Sequence, residues 1–93
     1  MTNHRPKRLK TRFPATLQDD CTTLNVMLRN ISVDGAHIDV DPATPILAGT
    51  AMHLQIGSAA LPTLVQWSKK GSVGVRFLVR PDPQLINLIP ADD

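Results

Sequence analysis

Two short stretches of this chain hold residues suited to gripping a small anion. The first is RLKTR, residues 8–12, where Arg8 and Arg12 stand four apart in a run that also contains Arg5, Lys7 and Lys10 and no acid. A guanidinium grips phosphate oxygens through two parallel hydrogen bonds. Lysine offers only a point charge. The second is RNISVDGAHI, residues 29–38. Asn30 and Ser32 are two apart, so in an extended chain they point to the same side. Together they offer donors and acceptors for a base edge or a phosphate, and Gly35 would let backbone approach a ligand closely. On local grounds alone the same stretch reads as a β-hairpin, because Asp34-Gly35 is a strong turn dipeptide between two alternating segments.

Other chemistry has little to stand on. His4, His37, His53 and Cys21 are scattered without the spacing of metal ligands, so no metal is expected. The chain has no glutamate, and its aspartates sit at turns or termini, where capping is the ordinary role. Ser32 lacks the surroundings of a nucleophile elbow. Cys21 lies beside Asp20 and threonines, with no activating cation next to it. No enzymatic activity is expected.

Charge is unevenly spread. Five of the ten cations fall in the first twelve residues, while the other five face eight aspartates, leaving a body of −3 under a total of +2. A basic segment on a mildly acidic body does not suit wrapping along a nucleic-acid backbone, where affinity grows with the number of phosphates neutralised. A small ligand with two phosphates needs only one or two well-placed arginines. The 93 residues support one domain with a modest core. Aromatics are limited to Trp67, Phe13 and Phe77, so that core must be aliphatic. No apolar run is long enough to span a bilayer, no signal peptide is evident, and the single cysteine fits a reducing compartment; a cytoplasmic location is expected.

The elements that must position these residues follow from period-2 alternation. TLNVMLRNI sets Leu24, Val26 and Leu28 on one face. GAHIDV sets Ala36, Ile38 and Val40 against His37 and Asp39, and AMHLQI sets Met52, Leu54 and Ile56 against His53 and Gln55. TLVQWS pairs Val65 with Trp67, and SVGVRFLV sets Val73, Val75, Phe77 and Val79 against Gly74, Arg76 and Arg80. FPATLQ is a weaker strand, since Pro14 prefers an edge. Turn signals fall at Asp19-Asp20, Asp34-Gly35, Asp41 to Pro45, Gly57-Ser58 and Lys69-Lys70-Gly71. About six short strands with tight turns predict an all-β barrel or sandwich. In the tail, Asp82 can cap and Pro83 suits the first helical position. Leu85, Leu88 and Ile89 then predict a short helix, stopped by Pro90, whose apolar face covers the barrel.

RLKTR and NISVDG, taken in that order, resemble the two-part signature of PilZ domains, bacterial receptors for cyclic di-GMP. Arg8 and Arg12 meet an Arg-x-x-x-Arg pattern. Some twenty residues on, Asn30, Ser32 and Gly35 meet Asp/Asn-x-Ser-x-x-Gly. LVQWS followed by GVRF resembles the family's closing hairpin, so the likeness covers residues from about 5 to 80. It implies a six-stranded antiparallel β-barrel with a C-terminal helix, a split barrel of the PilZ kind. It implies cyclic di-GMP as ligand, with Arg8 and Arg12 as clamps and Asn30, Ser32 and Gly35 on the barrel surface. In that picture residues 1–12 form a flexible basic arm that folds over the ligand, and residues 13–93 form the barrel. The receptor would change shape on binding and regulate a partner protein in motility, exopolysaccharide or biofilm output.

Three points stay open at this level. Trp67 is either a core residue beside Val65 or an indole at the barrel rim near the guanine. One cyclic di-GMP can bind, or two stacked molecules; two bring four phosphate charges together, and Arg5 and Lys7 could neutralise them, so two per chain is the expectation. Rival functions are a small nucleic-acid-binding barrel, which would need stacking aromatics that are scarce here, and a PilZ-like adaptor that binds no nucleotide, against which the intact motifs argue.

Overall fold

The computed structural model describes residues 8–92, so Arg5 and Lys7 lie outside the described residues. Six strands run β1 (Leu9–Gln18), β2 (Thr23–Ile31), β3 (Gly35–Asp39), β4 (Ala51–Ile56), β5 (Ala59–Lys69) and β6 (Ser72–Phe77), followed by helix α1 (Pro83–Asn87). The sheet closes on itself in the order β1-β2-β3-β6-β5-β4, and every pairing is antiparallel. The expected barrel with a short C-terminal helix is therefore what the chain forms. Closure removes the exposed sheet edges that a six-stranded open sheet would present.

Alternation builds the core. Leu17, Leu28, Ile31, Ile38, Leu54, Val65 and Val73 are fully buried, with Val26, Ala36, Met52, Ile56, Val75 and Phe77 packed around them. Aliphatic side chains on a twisted, closed sheet fill the interior without needing tyrosine or tryptophan. One polar residue in this interior, Thr63, donates its hydroxyl to the Met52 carbonyl at 2.7 Å and so is satisfied.

The first strand is longer than the alternation suggested. It starts at Leu9, so residues 9–12 of the segment expected as an arm belong to the sheet. The pairing of β1 with β2 shifts register between Lys10 and Phe13, a bulge that places Thr11 and Arg12 against the single residue Arg29. A bulge breaks period 2 and re-aims side chains: Thr11 turns inward and is buried, while Arg12 is exposed. Pro14 lies ahead of Thr16–Gln18, the stretch where β1 also pairs with β4.

The turns are held by the residues that named them. The Asp19 carboxylate accepts from the amides of Cys21 and Thr22, and that of Asp41 accepts from Ala43. Gly57 and Gly71 adopt positive φ, 59° and 85°, in their hairpin turns. At the C-terminus the Asp82 side chain accepts from the Gln84 amide, with Pro83 at the first helical position. The helix ends sooner than expected, at Asn87. Leu88 therefore falls at the C-cap and is 79% exposed, while Leu85, Ile86 and the buried Ile89 face the barrel. The tail then lies along β1. Thr11 donates its hydroxyl to the Pro90 carbonyl at 2.5 Å, and the Asp92 amide donates to the Lys10 carbonyl at 2.9 Å.

Candidate ligand-binding face

The two motifs meet on the outside of the barrel. Lys10 of β1 pairs with Asn30 of β2, and Arg8, two residues earlier on the same face, reaches across so that its guanidinium donates to the Asn30 carbonyl oxygen at 2.6 Å. The bond is short because the donor is charged. It leaves the Asn30 amide nitrogen and the remaining Arg8 donors available to a ligand. Arg12 is exposed, and its guanidinium has no hydrogen-bond partner among the described residues.

Ser32 and Gly35 shape the turn after β2. Ser32 is 2% exposed; its hydroxyl accepts from the Asp34 amide at 3.2 Å, and its own amide donates to the Gly35 carbonyl. That arrangement is a serine turn, and it leaves the hydroxyl proton free to donate. Asp34 ties the turn to the end of β6: its carbonyl accepts from the Phe77 amide at 2.8 Å, and its carboxylate faces Arg80 at 3.6 Å. Gly35 does not occupy the left-handed region. Its requirement is space instead: a Cβ there would collide with the Val75 carbonyl oxygen of β6.

Pairing then carries one row across the barrel. Asn30 on β2 pairs with His37 on β3, His37 with Gly74 on β6, and Gly74 with Trp67 on β5. Trp67 does not join Val65 in the core. The register of β5 against β6 shifts between Val65 and Trp67, and the bulge turns the indole to the outer face, where it is 39% exposed against 1% for Val65. The indole lies over Gly74, whose missing side chain makes room for it. The His37 ring packs against it in a T-shaped arrangement, with ring centroids 5.3 Å apart and planes at 64°, and the Lys69 ammonium stands 5.7 Å from the ring centroid. His37 Nε2 shares a hydrogen bond of 2.9 Å with the Ser72 hydroxyl.

Sequence reasoning thus named both ends of this row but not its middle. His37 and Gly74 lie inside the stretches RNISVDGAHI and GVRF, but the sequence assigns neither a role at the site. Alternation put His37 on the outer side of its strand, but the adjacency of β3, β6 and β5 comes only with the closed topology. Among the described residues no group of three or more metal-binding side chains is present, and no helix is long and apolar enough to cross a membrane. What the face offers is guanidinium donors, an amide, an imidazole and an indole.

Solved structures share this architecture at low sequence identity. The PilZ domain of CeSA from a cellulose-synthesising bacterium superposes with a TM-score of 0.68 at 13% identity, over 89% of this chain and 94% of that one. The PilZ domain of YcgR from Escherichia coli, determined with cyclic di-GMP, gives a TM-score of 0.65 at 16% identity, over 94% and 86%. An uncharacterised Legionella protein gives 0.53 at 20% identity, over 88% and 85%. No curated protein matches. The family model for the PilZ domain matches residues 2–90, nearly the whole chain. With that span, with both motifs on one face of a closed six-stranded barrel, this chain belongs to the PilZ domain family.

Proposed function

We propose that this chain is a receptor for cyclic di-GMP that acts by binding rather than catalysis, passing the signal to a partner protein in the cytoplasm. The observation that carries the reading is the 2.6 Å bond from Arg8 to Asn30. Two motifs far apart in the chain supply complementary groups to one patch, and the patch continues to an exposed indole. Membership of the family and the cyclic di-GMP present in the similar YcgR domain support the same ligand.

In this reading Arg8 and Arg12 fork onto guanine O6 and N7 or onto phosphate oxygens. The Asn30 amide and the Ser32 hydroxyl add bonds from the barrel surface, Gly35 keeps that surface close to the β6 backbone, and Trp67 offers a stacking plane. Arg5 and Lys7 would bring further positive charge to the ligand's phosphates. With two stacked ligands per chain, that charge offsets the mutual repulsion of four phosphates. Binding would cover this face with the ligand and change the surface a partner meets.

Calorimetric titration with cyclic di-GMP, with a single-stranded oligonucleotide as the parallel ligand, tests the reading. Wild type should bind the dinucleotide saturably. Arg8→Ala and Arg12→Ala should each lose about ten- to a hundredfold in affinity, since a hydrogen bond to a charged group contributes roughly 1.5–3 kcal/mol. Lys7→Leu should lower the ratio from two ligands toward one. Binding of the oligonucleotide but not of cyclic di-GMP would replace the receptor with a nucleic-acid-binding barrel.

A further inference from the structure

His37 stands in the middle of the row, between the Arg8–Asn30 pair and the Trp67 platform. Strands lie about 4.8 Å apart, so a ligand reaching from Asn30 to the indole has to cross β3 at His37. The ring is held from two sides. Nε2 is engaged with Ser72 at 2.9 Å, and the ring packs against Trp67 in a T-shaped arrangement at 64°. The other nitrogen, Nδ1, has no hydrogen-bond partner among the described residues, and the residue is only partly buried. A side chain fixed at one nitrogen and free at the other is preorganised for a single directed hydrogen bond.

We propose that His37 is a specificity-determining residue of the ligand face, using Nδ1 to read the edge of a purine stacked on Trp67. The inference rests on the receptor reading and adds the group that distinguishes one base from another. In this proposal the Ser72 hydroxyl is the donor to Nε2, which places the ring proton on Nδ1 and makes Nδ1 the donor toward the base. Guanine presents two acceptors, O6 and N7, on its Hoogsteen edge, whereas adenine replaces O6 with an amino donor. A donor at this point therefore favours guanine. Ser72 sets the tautomer and orientation of the ring, and so acts as a positioning residue.

Three variants separate this role from packing. His37→Phe keeps a flat ring against Trp67 but removes both nitrogens. His37→Asn gives up the ring but returns an amide donor close to the place of Nδ1. Ser72→Ala leaves the imidazole and removes its anchor. Affinities for cyclic di-GMP and cyclic di-AMP are measured for each by calorimetry, with apo tryptophan emission as a check on packing. His37→Phe should lose about tenfold for cyclic di-GMP and change little for cyclic di-AMP, so the ratio between the two falls by the same factor. His37→Asn should recover part of that ratio, and Ser72→Ala should lower it less than His37→Phe does. If wild type binds cyclic di-GMP and His37→Phe binds it equally well with the same preference, His37 is a packing residue and the inference is overturned. If wild type binds neither dinucleotide, the receptor reading itself fails, and the inference fails with it.

Discussion

Gly74 lies beneath the indole of Trp67, so close that a Cβ on it would run into Nε1, Cε2 and Cζ2 of the ring. The glycine is on β6 and the tryptophan on β5, paired across the last hairpin of the barrel. The indole is therefore not simply left outside the core; it is seated on backbone, part-exposed, with the Lys69 ammonium 5.7 Å from its centroid.

Gly74→Ala should unseat it. The ring must lift, and the edge contact with His37 is then lost. Overpacking of this kind costs roughly 1–3 kcal/mol. Trp67 is the sole tryptophan, so its emission maximum should move to the red in the variant without ligand. An unshifted maximum would show that the indole does not rest on Gly74.

Gly35→Ala should be the more damaging change. The atom in the way is the Val75 carbonyl oxygen, part of the β3–β6 ladder, which cannot swing aside as a side chain can. We expect a loss of about 3 kcal/mol, at the upper end for overpacking. Urea unfolding of both alanine variants checks the order. A Gly35→Ala protein more stable than Gly74→Ala would contradict the account.

Thr11 sits between the two arginines of RLKTR, yet it faces the interior and binds the Pro90 carbonyl. Thr11→Val keeps the shape and removes the donor, leaving a carbonyl short of a partner. The expected cost is about 1–3 kcal/mol. Thr11→Ser, which keeps the donor, should recover most of the difference on the valine variant. Equal midpoints for valine and serine would mean that the bond contributes nothing.

Arg80→Ala should leave stability almost untouched. The Arg80–Asp34 pair is 3.6 Å long, with side chains 71% and 58% exposed, and exposed ion pairs contribute roughly 0–1 kcal/mol. A fall of the melting temperature by more than a few degrees, with little recovery in high salt, would show that this pair anchors the NISVDG turn more firmly than its geometry implies.

How much could be read beforehand depended on whether period 2 held. In β3, β4 and β6, and in β2 as far as Leu28, the alternation is unbroken along the buried face, and the apolar residues it picked out, such as Val26, Leu28, Ile38, Leu54 and Val75, are in the core. Past Leu28 a register shift against β3 turns Ile31 inward instead of Asn30. Where a bulge intervenes, the pattern misleads. It hid the sheet residues of the basic run, because Thr11 and Arg12 together oppose Arg29. It also left Trp67 undecided, because the shift after Val65 reverses the face. The motifs gave Arg8, Asn30, Ser32 and Gly35 as neighbours, but the physical demand on Gly35 is a close approach from β6, far away in sequence. His37 was visible only as an outward residue. Its neighbours on β6 and β5 are set by barrel closure, which local spacing does not encode. Leu88 failed for a simpler reason: the helix stops one residue short of it.

The tail that crosses β1 has a consequence for chain connectivity. Asp92 and Lys10 are joined amide to carbonyl at 2.9 Å, so the two ends of the described chain lie side by side. A linker joining the tail to the basic segment, with Arg5 and Lys7 retained in it, would make the backbone a loop, and new ends could be cut at Gly57-Ser58, a tight turn that carries none of the ligand-face residues. Circular permutation is tolerated best at such exposed turns. The permuted protein would present β5 first and β4 last while every strand pairing stayed the same. RLKTR and NISVDG would keep their order and spacing in the middle of the new chain, and both new termini would open far from them in sequence, free for attachment to a surface or a fluorophore.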